Sequence, residues 1–309
     1  MNISAPNSNQ MPLMNFWGLS LLLLLILVFQ FVGYGISVYS LSFFLGMETS
    51  EIKYLMSHPD GTAVSINISR FSNLIQFINY MGIPALLLTL VNRTSWANVG
   101  GYSQKPSVVK IIAAIFFALG SVPVIAVLNK LTASLPYPDS LAAIGQKLTD
   151  ARIILFENML DIQRIDELLF CIFLLAFLPA FLEEYIFRGL ILKIGLTHYK
   201  KPITSILFQA AIFSLLHFSL FEFWGIFLIG AMFGYIAFKN ESIWLSSISH
   251  FIFNTTSILI HFYLSNIFNN TGIASNEETI LVNFSLALPA SIIMALTMYI
   301  LVTNKRIKE

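Results

Sequence analysis

Charged residues are scarce in this 309-residue chain. Asp, Glu, Lys and Arg together make up 11% of it, 57% is hydrophobic, and the mean hydropathy is +0.78. A soluble globular domain usually carries about 25% charged residues. The composition therefore excludes an ordinary soluble domain and predicts an all-α, polytopic membrane protein.

The chain also lacks the basic runs of a nucleic-acid-binding protein and the pairs of cysteines that form disulfides. The formal net charge is only +1, and no basic run or aromatic-interleaved basic patch occurs, so we expect no nucleic acid partner. Cys171 is the single cysteine, which rules out an intramolecular disulfide or a CxxC site, and we interpret it as a packing residue.

The N-terminus up to Pro12 has no Lys or Arg, and the following apolar stretch is longer than a signal-peptide core of about 7–15 residues. We expect the first span to be retained.

Several familiar catalytic patterns are also missing. No HExxH occurs, which argues against the usual helix-borne zinc site, and no GxSG-like serine motif stands in an apolar run. Every Asp lies in a loop or at a helix end, so an intramembrane aspartyl dyad is not expected. Any chemistry inside the membrane must therefore use Glu and His.

Long apolar runs are what the chain has in abundance. A spanning helix needs about 20 mostly apolar residues, and about eight windows of this kind lie near 14–46, 72–91, 108–131, 168–196, 203–220, 223–239, 242–264 and 280–303. Residues 136–167 form an amphipathic segment, which we interpret as a connecting helix or a lid at the membrane interface. No repeat or linker divides the chain, so 1–309 is predicted to be one integral membrane domain.

The distribution of Lys and Arg predicts the orientation, because cytoplasmic loops carry an excess of these residues. With the N-terminus in the cytoplasm, the cytoplasmic side collects the larger share of the 17 basic residues. We therefore expect both termini to lie inside and the protein to be a multi-pass protein of the cell (inner) membrane.

Two carboxylates and a guanidinium lie inside the fourth apolar window, in the run Phe181-Leu-Glu-Glu-Tyr-Ile-Phe-Arg188. A charge near the middle of a bilayer costs about 2.5–3.5 kcal/mol or more, so such residues are functional candidates with a partner to be found. Glu184 and Arg188 are four residues apart and can pair on one helix face. That pairing would leave Glu183 free for chemistry.

Histidines in later apolar windows supply partners for Glu183. Residues four apart share a helix face, which places Phe213 beside His217 and Asn254 beside His250. At about 1.5 Å of rise per residue, Glu183 and His217 both lie on the order of 20 Å from the turn at 197–202, and His250 lies on the order of 15 Å beyond the turn near Asn240. We expect Glu183, His217, His250 and Asn254 to converge on one site. His261, about three turns beyond His250, is left out of that site.

Each of these elements also has a purely structural interpretation. A Glu–Arg pair can hold helices together, and a single intramembrane His often donates an interhelical hydrogen bond. Buried Glu and His could also form the proton relay of a transporter, although no inverted repeat or broken helix of that class is evident. The joint pattern favours a catalytic site over these alternatives.

The three motifs resemble the CPBP family of intramembrane proteases, which includes the CAAX proteases and the Abi proteins. The family pattern is EExxxR, FxxxH and HxxxN or HxxxD. Here it is matched in order by Glu183-Glu184-Tyr-Ile-Phe-Arg188, Phe213-Ser-Leu-Leu-His217 and His250-Phe-Ile-Phe-Asn254. The resemblance covers about residues 167–264, which would form the catalytic core.

The resemblance implies an endopeptidase that cleaves a peptide bond near the membrane surface. Glu183 and His217 would activate water, His250 and Asn254 would stabilise the oxyanion, and Glu184, Arg188 and Phe213 would support the site. Glu183, His217 and His250 could alternatively hold zinc, but Asn is a poor zinc ligand and a mechanism requiring no metal is favoured. The substrate would be a membrane-associated or lipidated peptide or protein. A catalytically silent scaffold or a bacteriocin-immunity protein of the same fold is the alternative.

Overall fold

The computed structural model describes residues 15–102, 105–271 and 284–303, and in these residues it is helical with no strand. An all-α polytopic membrane protein, as predicted, is what the structure shows. The helices are α1 Phe16–Leu45, α2 Thr49–Ser57, α3 Ala63–Val91, α4 Trp96–Gly100, α5 Val108–Ala133, α6 Asp139–Met159, α7 Ile165–Tyr199, α8 Pro202–Leu215, α9 Phe223–Asn240, α10 Trp244–Thr271 and α11 Phe284–Val302.

Six of the helices in the described residues are long and apolar enough to cross a membrane, namely α1, α3, α5, α7, α9 and α11. The helix α8 is apolar but shorter, and α10 is long but less apolar. The predicted count of eight spans therefore remains a prediction. The expected location of both chain ends in the cytoplasm concerns residues 1–14 and 304–309, which lie outside the described part.

The chain separates into two compact units by its internal contacts. The first comprises Met1–Thr94 and Gln146–Leu174, and the second comprises Ser95–Gly145 and Leu175–Glu309. Two of the boundaries fall within a helix, one in α6 and one in α7. The prediction of a single domain stays a prediction.

Local sequence signals set the helix ends and irregularities of the first unit. The Asn15 side chain accepts a hydrogen bond from the amide of Gly18 and so caps the start of α1. Within α3, a π turn at Ile78–Gly82 precedes Pro84, whose missing amide hydrogen interrupts the regular α-helical ladder. The apolar cluster of this unit is formed by Val38, Leu41, Ile52 and Ile68.

The helix α6 lies within the segment 136–167, which the sequence predicts to be amphipathic. Its apolar residues Leu141, Ile144 and Leu148 recur at helical spacing, and all three are exposed. An exposed apolar stripe suits a helix that rests in the membrane interface, because lipid can contact that stripe. Whether α6 also acts as a lid stays a prediction.

A buried arginine joins α3 to the chain around the end of α6. Arg70 is 3% exposed, and it donates hydrogen bonds from Nε to the Met159 carbonyl and from Nη2 to the Asp161 carbonyl, each at 2.9 Å. The Glu167 carboxylate lies 3.7 Å from its Nη1 atom. The last carbonyls of a helix have no partner within the helix, so Arg70 satisfies groups that would otherwise be unpaired.

Replacing Arg70 by methionine should destabilise the protein by about 3 kcal/mol, because carbonyls that now accept from a charged donor would lose it. Thermal unfolding of the purified protein in detergent measures this loss. Arg164→Met is the matched control, since the Arg164 side chain is 71% exposed and its ion pair with Asp166 should contribute no more than about 1 kcal/mol. Equal shifts for the two variants would contradict the prediction.

The second unit packs α5 against α9, α10 and α11. Its apolar cluster is formed by Ala113, Ala114, Phe117, Ile125, Ile229, Phe233, Ile236, Leu245, Met294 and Leu301. A small-xxx-small pattern, Gly230 to Gly234, lies on α9, and a Cβ atom at Gly230 would lie only 2.9 Å from the Phe213 ring. Glycine at this position therefore lets α9 approach α8 closely.

Two π turns interrupt α7, at Phe173–Phe177 and at Tyr185–Ile191. The second begins directly after the two adjacent glutamates, and all of its residues are buried. Such π turns are rare and occur often at functional sites. They change the face on which later residues project, and sequence spacing alone does not predict that change.

Candidate active site

A fully buried ion pair forms the base of the site in the second unit. Arg188 Nη1 lies 2.8 Å from Glu184 Oε1, and both side chains are 0% exposed. Arg188 Nη2 donates to the Gly230 carbonyl at 3.1 Å, and Gln209 Nε2 donates to the same carbonyl at 2.9 Å. The charged pair thus connects α7 to α9, and Gln209 adds α8 to the connection.

Aromatic rings surround the Arg188 guanidinium. Its Cζ atom lies 4.5 Å from the centre of the Phe213 ring, 5.5 Å from that of Phe233 and 5.9 Å from that of Phe187. A cation within about 6 Å of an aromatic face is stabilised by the ring quadrupole, most strongly where water is excluded. Phe213 therefore contacts the charged group of the site directly.

His250 is the residue that connects the two carboxylates. Its Nδ1 atom lies 3.0 Å from Glu184 Oε1, and its Nε2 atom lies 3.9 Å from Glu183 Oε2. The imidazole stacks on the Phe233 ring with centroids 5.3 Å apart. The helix α10 is thereby joined to α7 at the level of the glutamate pair.

The contact with Glu184 determines which nitrogen of His250 carries a hydrogen. An ionised carboxylate only accepts hydrogen bonds, so Nδ1 must be the donor in this contact. A neutral His250 would then present a bare Nε2 toward Glu183, whereas an imidazolium would present a donor there. Only the imidazolium form would make His250 a hydrogen-bond donor through Nε2.

His217 lies in a different position from the one predicted. The sequence places it inside an apolar window at 203–220, but α8 ends at Leu215 and His217 stands in the turn that follows. The left-handed backbone of Phe218, with φ of 50°, takes the chain out of the helix. The Nδ1 atom of His217 lies 2.7 Å from the Phe213 carbonyl oxygen. Within the described residues, no hydrogen bond or ion pair joins His217 to Glu183.

Asn254 is held by the backbone of α7. Its Nδ2 atom donates to the Leu175 carbonyl at 3.1 Å. Pro179, four residues after Leu175, has no amide hydrogen to donate to that carbonyl in a regular helix. One amide hydrogen of Asn254 stays available for a ligand, because a carboxamide has two.

The described residues contain no group of three or more His, Cys, Asp and Glu side chains arranged to hold a metal ion. Glu183, His217 and His250 are therefore not gathered as three metal ligands in the described part of the chain, and zinc binding by these residues stays a prediction.

Three groups of the site do not belong to the predicted motifs, namely Gln209 and the carbonyls of Gly230 and Leu175. Gln209 precedes Phe213 by four residues, so the helical spacing that linked Phe213 to His217 could have found it. The two carbonyls carry no side-chain signal. Pro179, which has no amide hydrogen, is a sequence signal near the Leu175 carbonyl.

The part of the chain that carries the site is similar to a known protein family. Residues 165–256 match the family model described as type II CAAX prenyl endopeptidase Rce1-like. This CPBP segment, residues 165–256, resembles the CAAX proteases of the CPBP family. The CPBP segment contains Glu183, Glu184, Arg188, Phe213, His217, His250 and Asn254. No curated protein and no solved structure matched the chain significantly.

The match supports a protease function of the CAAX type for the CPBP segment. The apolar helices make the protein an integral, multi-pass membrane protein. Residues before 165 lie outside the matched segment, although part of them belongs to the same compact unit as the site.

Proposed function

We propose that this protein is an intramembrane endopeptidase that hydrolyses a peptide bond near the membrane surface. The observation that carries the proposal is the buried cluster in which His250 contacts both Glu183 and Glu184 while Arg188 compensates Glu184. Buried ionisable groups of this kind are costly in a membrane and point to function. Their coincidence with a CAAX-protease segment supports hydrolysis as the reaction.

The chemistry follows from the division of charge in the cluster. Glu184 is committed to Arg188, so Glu183 is the carboxylate free to take a proton from water. The water oxygen then attacks the carbonyl carbon of the scissile bond, and the proton taken by Glu183 passes to the departing amine when the C–N bond breaks. His217 would help to orient the water, since a water molecule can bridge polar groups that do not touch.

The negative charge that develops on the carbonyl oxygen needs hydrogen-bond donors. His250 Nε2, in the imidazolium form, and the second amide hydrogen of Asn254 would supply them. Donors already held in place before the reaction stabilise the transition state without a cost of reorganisation. Glu184 and the Leu175 carbonyl provide this preorganisation, because each fixes one of the two donors.

The expected substrate is a membrane-associated or lipidated peptide or protein, by analogy with the prenyl endopeptidases of the matched family. The excess of Lys and Arg on one side supports an orientation with both termini in the cytoplasm, in the cell (inner) membrane. The cleaved bond would then lie near that surface.

Comparison of peptide termini in membranes from cells with the wild type or Glu183→Ala, at equal expression, tests the proposal. We expect new termini that occur only with the wild type, and these would also identify the substrate class. Identical termini in the two membranes would contradict proteolysis and favour a catalytically silent scaffold or immunity role.

Removal of metal provides a second test. Dialysis against EDTA or addition of 1,10-phenanthroline should leave the peptidase rate within about twofold of the untreated value, because Glu183 and the donors need no ion. A loss of activity that zinc restores would overturn the mechanism requiring no metal. A zinc-dependent peptidase treated in parallel shows that the chelators work under the assay conditions.

A further inference from the structure

The helix α1 carries a carboxamide in the middle of an otherwise apolar run. Gln30 stands at the midpoint of Phe16–Leu45, and no charged residue occurs in these 30 residues. Gln30 is also exposed. Because α1 is long and apolar enough to cross a membrane, its midpoint falls in the hydrocarbon of the bilayer.

Aromatic residues near both ends of α1 show how deep Gln30 lies. Trp17 is 82% exposed and Tyr39 is 69% exposed, and both residue types prefer the two membrane interfaces. At about 1.5 Å of rise per residue they are about 33 Å apart along the helix, which matches a hydrocarbon core of about 30 Å. Gln30 then lies about 20 Å from the level of Trp17 and about 14 Å from that of Tyr39. Its side chain is too short to reach either interface.

The first compact unit offers Gln30 no partner. Within the described residues, no hydrogen bond or ion pair joins Gln30 to another residue. The contact of α1 with α3 is made next to it, at Gly33, where a Cβ atom would lie only 2.9 Å from Asn79 Cβ. Hydrocarbon cannot accept or donate a hydrogen bond, so a carboxamide left unpaired there is unfavourable. Gln30 therefore requires a polar partner from outside this chain.

The neighbours of Gln30 form a stripe that a second helix can pack against. Leu23, Leu27, Gln30 and Tyr34, here called the α1 seam, recur at alternating spacings of four and three residues. Leu27 and Tyr34 are exposed, and Leu23 is half-buried. This alternation is the pattern along which two helices pack with their side chains interdigitated. A single polar residue in such a seam fixes the register of the two helices.

A second copy of the chain meets the requirement of Gln30 by symmetry alone. All copies enter the membrane in the same orientation, so two α1 helices pack in parallel about a two-fold axis along the membrane normal. The Gln30 side chains of the two copies then lie at the same depth. A carboxamide has two donor hydrogens and an acceptor oxygen, so each Gln30 can donate to the other and accept from it.

We propose that the exposed face of α1 is a self-association surface, on which two copies of this chain pack along the α1 seam with their Gln30 carboxamides hydrogen-bonded to each other. Interhelical hydrogen bonds of this kind favour helix association in membranes. The surface lies outside the CPBP segment and contains no residue of the candidate active site. The association therefore does not depend on the proposed protease function.

Energy transfer between full-length copies that carry a donor or an acceptor dye on a C-terminal tag measures the dimer in liposomes as lipid is added. Gln30→Leu keeps the approximate size of the side chain but removes the carboxamide, and it should raise the dissociation constant about tenfold. Gln30→Asn keeps the carboxamide and should stay within about threefold of the wild type. Gln76→Leu is the matched control, because it makes the same change near the middle of α3, and it should leave the dissociation constant unaltered.

Three results would overturn the proposal. These are a monomeric wild type, a Gln30→Leu dimer as tight as that of the wild type, and equal weakening by Gln30→Leu and Gln76→Leu. A Gln30→Asn dimer as weak as that of Gln30→Leu would contradict the hydrogen bond between the carboxamides. Thermal unfolding in detergent at a concentration where the protein is monomeric should give Gln30→Leu the wild-type midpoint, which separates a lost contact from misfolding.

Disulfide crosslinking in native membranes tests which face of α1 is in contact. A disulfide needs Cα atoms within about 7 Å of each other, so it reports close helix packing. In a Cys171→Ser background, Leu27→Cys on the α1 seam should form at least about five times more crosslinked dimer than Val28→Cys. Both positions are exposed, at 51% and 45%, but adjacent residues point about 100° apart around a helix. Adding Gln30→Leu to Leu27→Cys should remove most of the crosslink.

Equal crosslinking at Leu27→Cys and Val28→Cys would indicate random collision of copies in the membrane and would overturn the proposal. A crosslink at Leu27→Cys that survives Gln30→Leu undiminished would also overturn it, since the contact would then not need the carboxamide.

Discussion

Replacement of Glu183 by glutamine should lower the peptidase rate by about a thousandfold while the protein remains folded. A positioned general base contributes about 10²–10⁴-fold to the rate, and glutamine keeps the shape of the side chain but cannot accept the proton. The measurement is initial rates with a fluorogenic membrane peptide in nanodiscs. The unfolding midpoint should change little, because Glu183 has no charged partner as close as the one that holds Glu184.

His250→Ala should produce a loss of similar size through a different step, since it removes an oxyanion donor. Glu157→Gln is the matched control for the glutamate variant, because Glu157 is exposed on α6 and the same chemical change there should leave the rate unaltered. Full activity in folded Glu183→Gln protein would falsify the assignment of Glu183 as the base. Activity in His250→Ala close to that of the wild type would remove His250 from the mechanism.

Arg188→Met should destabilise the protein at least as much as Arg70→Met does. It leaves the Glu184 carboxylate fully buried without its cation, and breaking a buried ion pair from one side costs about 3–5 kcal/mol. The Gly230 carbonyl would lose one of its two donors as well. We expect a large drop in the unfolding midpoint and in the yield of folded protein, measured by thermal unfolding in detergent.

The double variant Glu184→Gln/Arg188→Met distinguishes the buried charge from general loss of packing. Removing both charges should recover a large part of the stability lost in Arg188→Met, because an apolar or neutral replacement of a buried pair is often nearly neutral. Lys201→Met, at an exposed cation before α8, is the control and should change stability by less than about 0.5 kcal/mol. A double variant as unstable as Arg188→Met would show that the charge is not the cause.

Much of the site could be predicted because helical spacing is a local property. The separation of four residues between Glu184 and Arg188 was enough to predict their ion pair, which the structure shows at 2.8 Å. The same rule predicted that His250 and Asn254 share one face of a single helix. The predicted placement of His217 within a helix was wrong, because the helix ends two residues earlier and the left-handed Phe218 redirects the backbone.

Contacts between distant parts of the chain could not be predicted in the same way. The contact of His250 with Glu184 depends on the rotation of α10 against α7, and the π turn at Tyr185–Ile191 alters the face that α7 presents. Tyr102 carries no motif, and the hydrogen bond that its carbonyl accepts from Trp244 joins it to the start of α10.

The amino-acid sequence by itself determined the class of protein and the chemistry available to it. Long apolar runs force helices, because the backbone polar groups must be satisfied within each segment in a membrane, and the Glu, Arg and His of the motifs bring ionisable groups into those runs. The tertiary structure alone decided which imidazole meets which carboxylate and which carbonyls orient Arg188 and Asn254. Those contacts span tens of residues, and their distances follow from helix packing rather than from spacing along the chain.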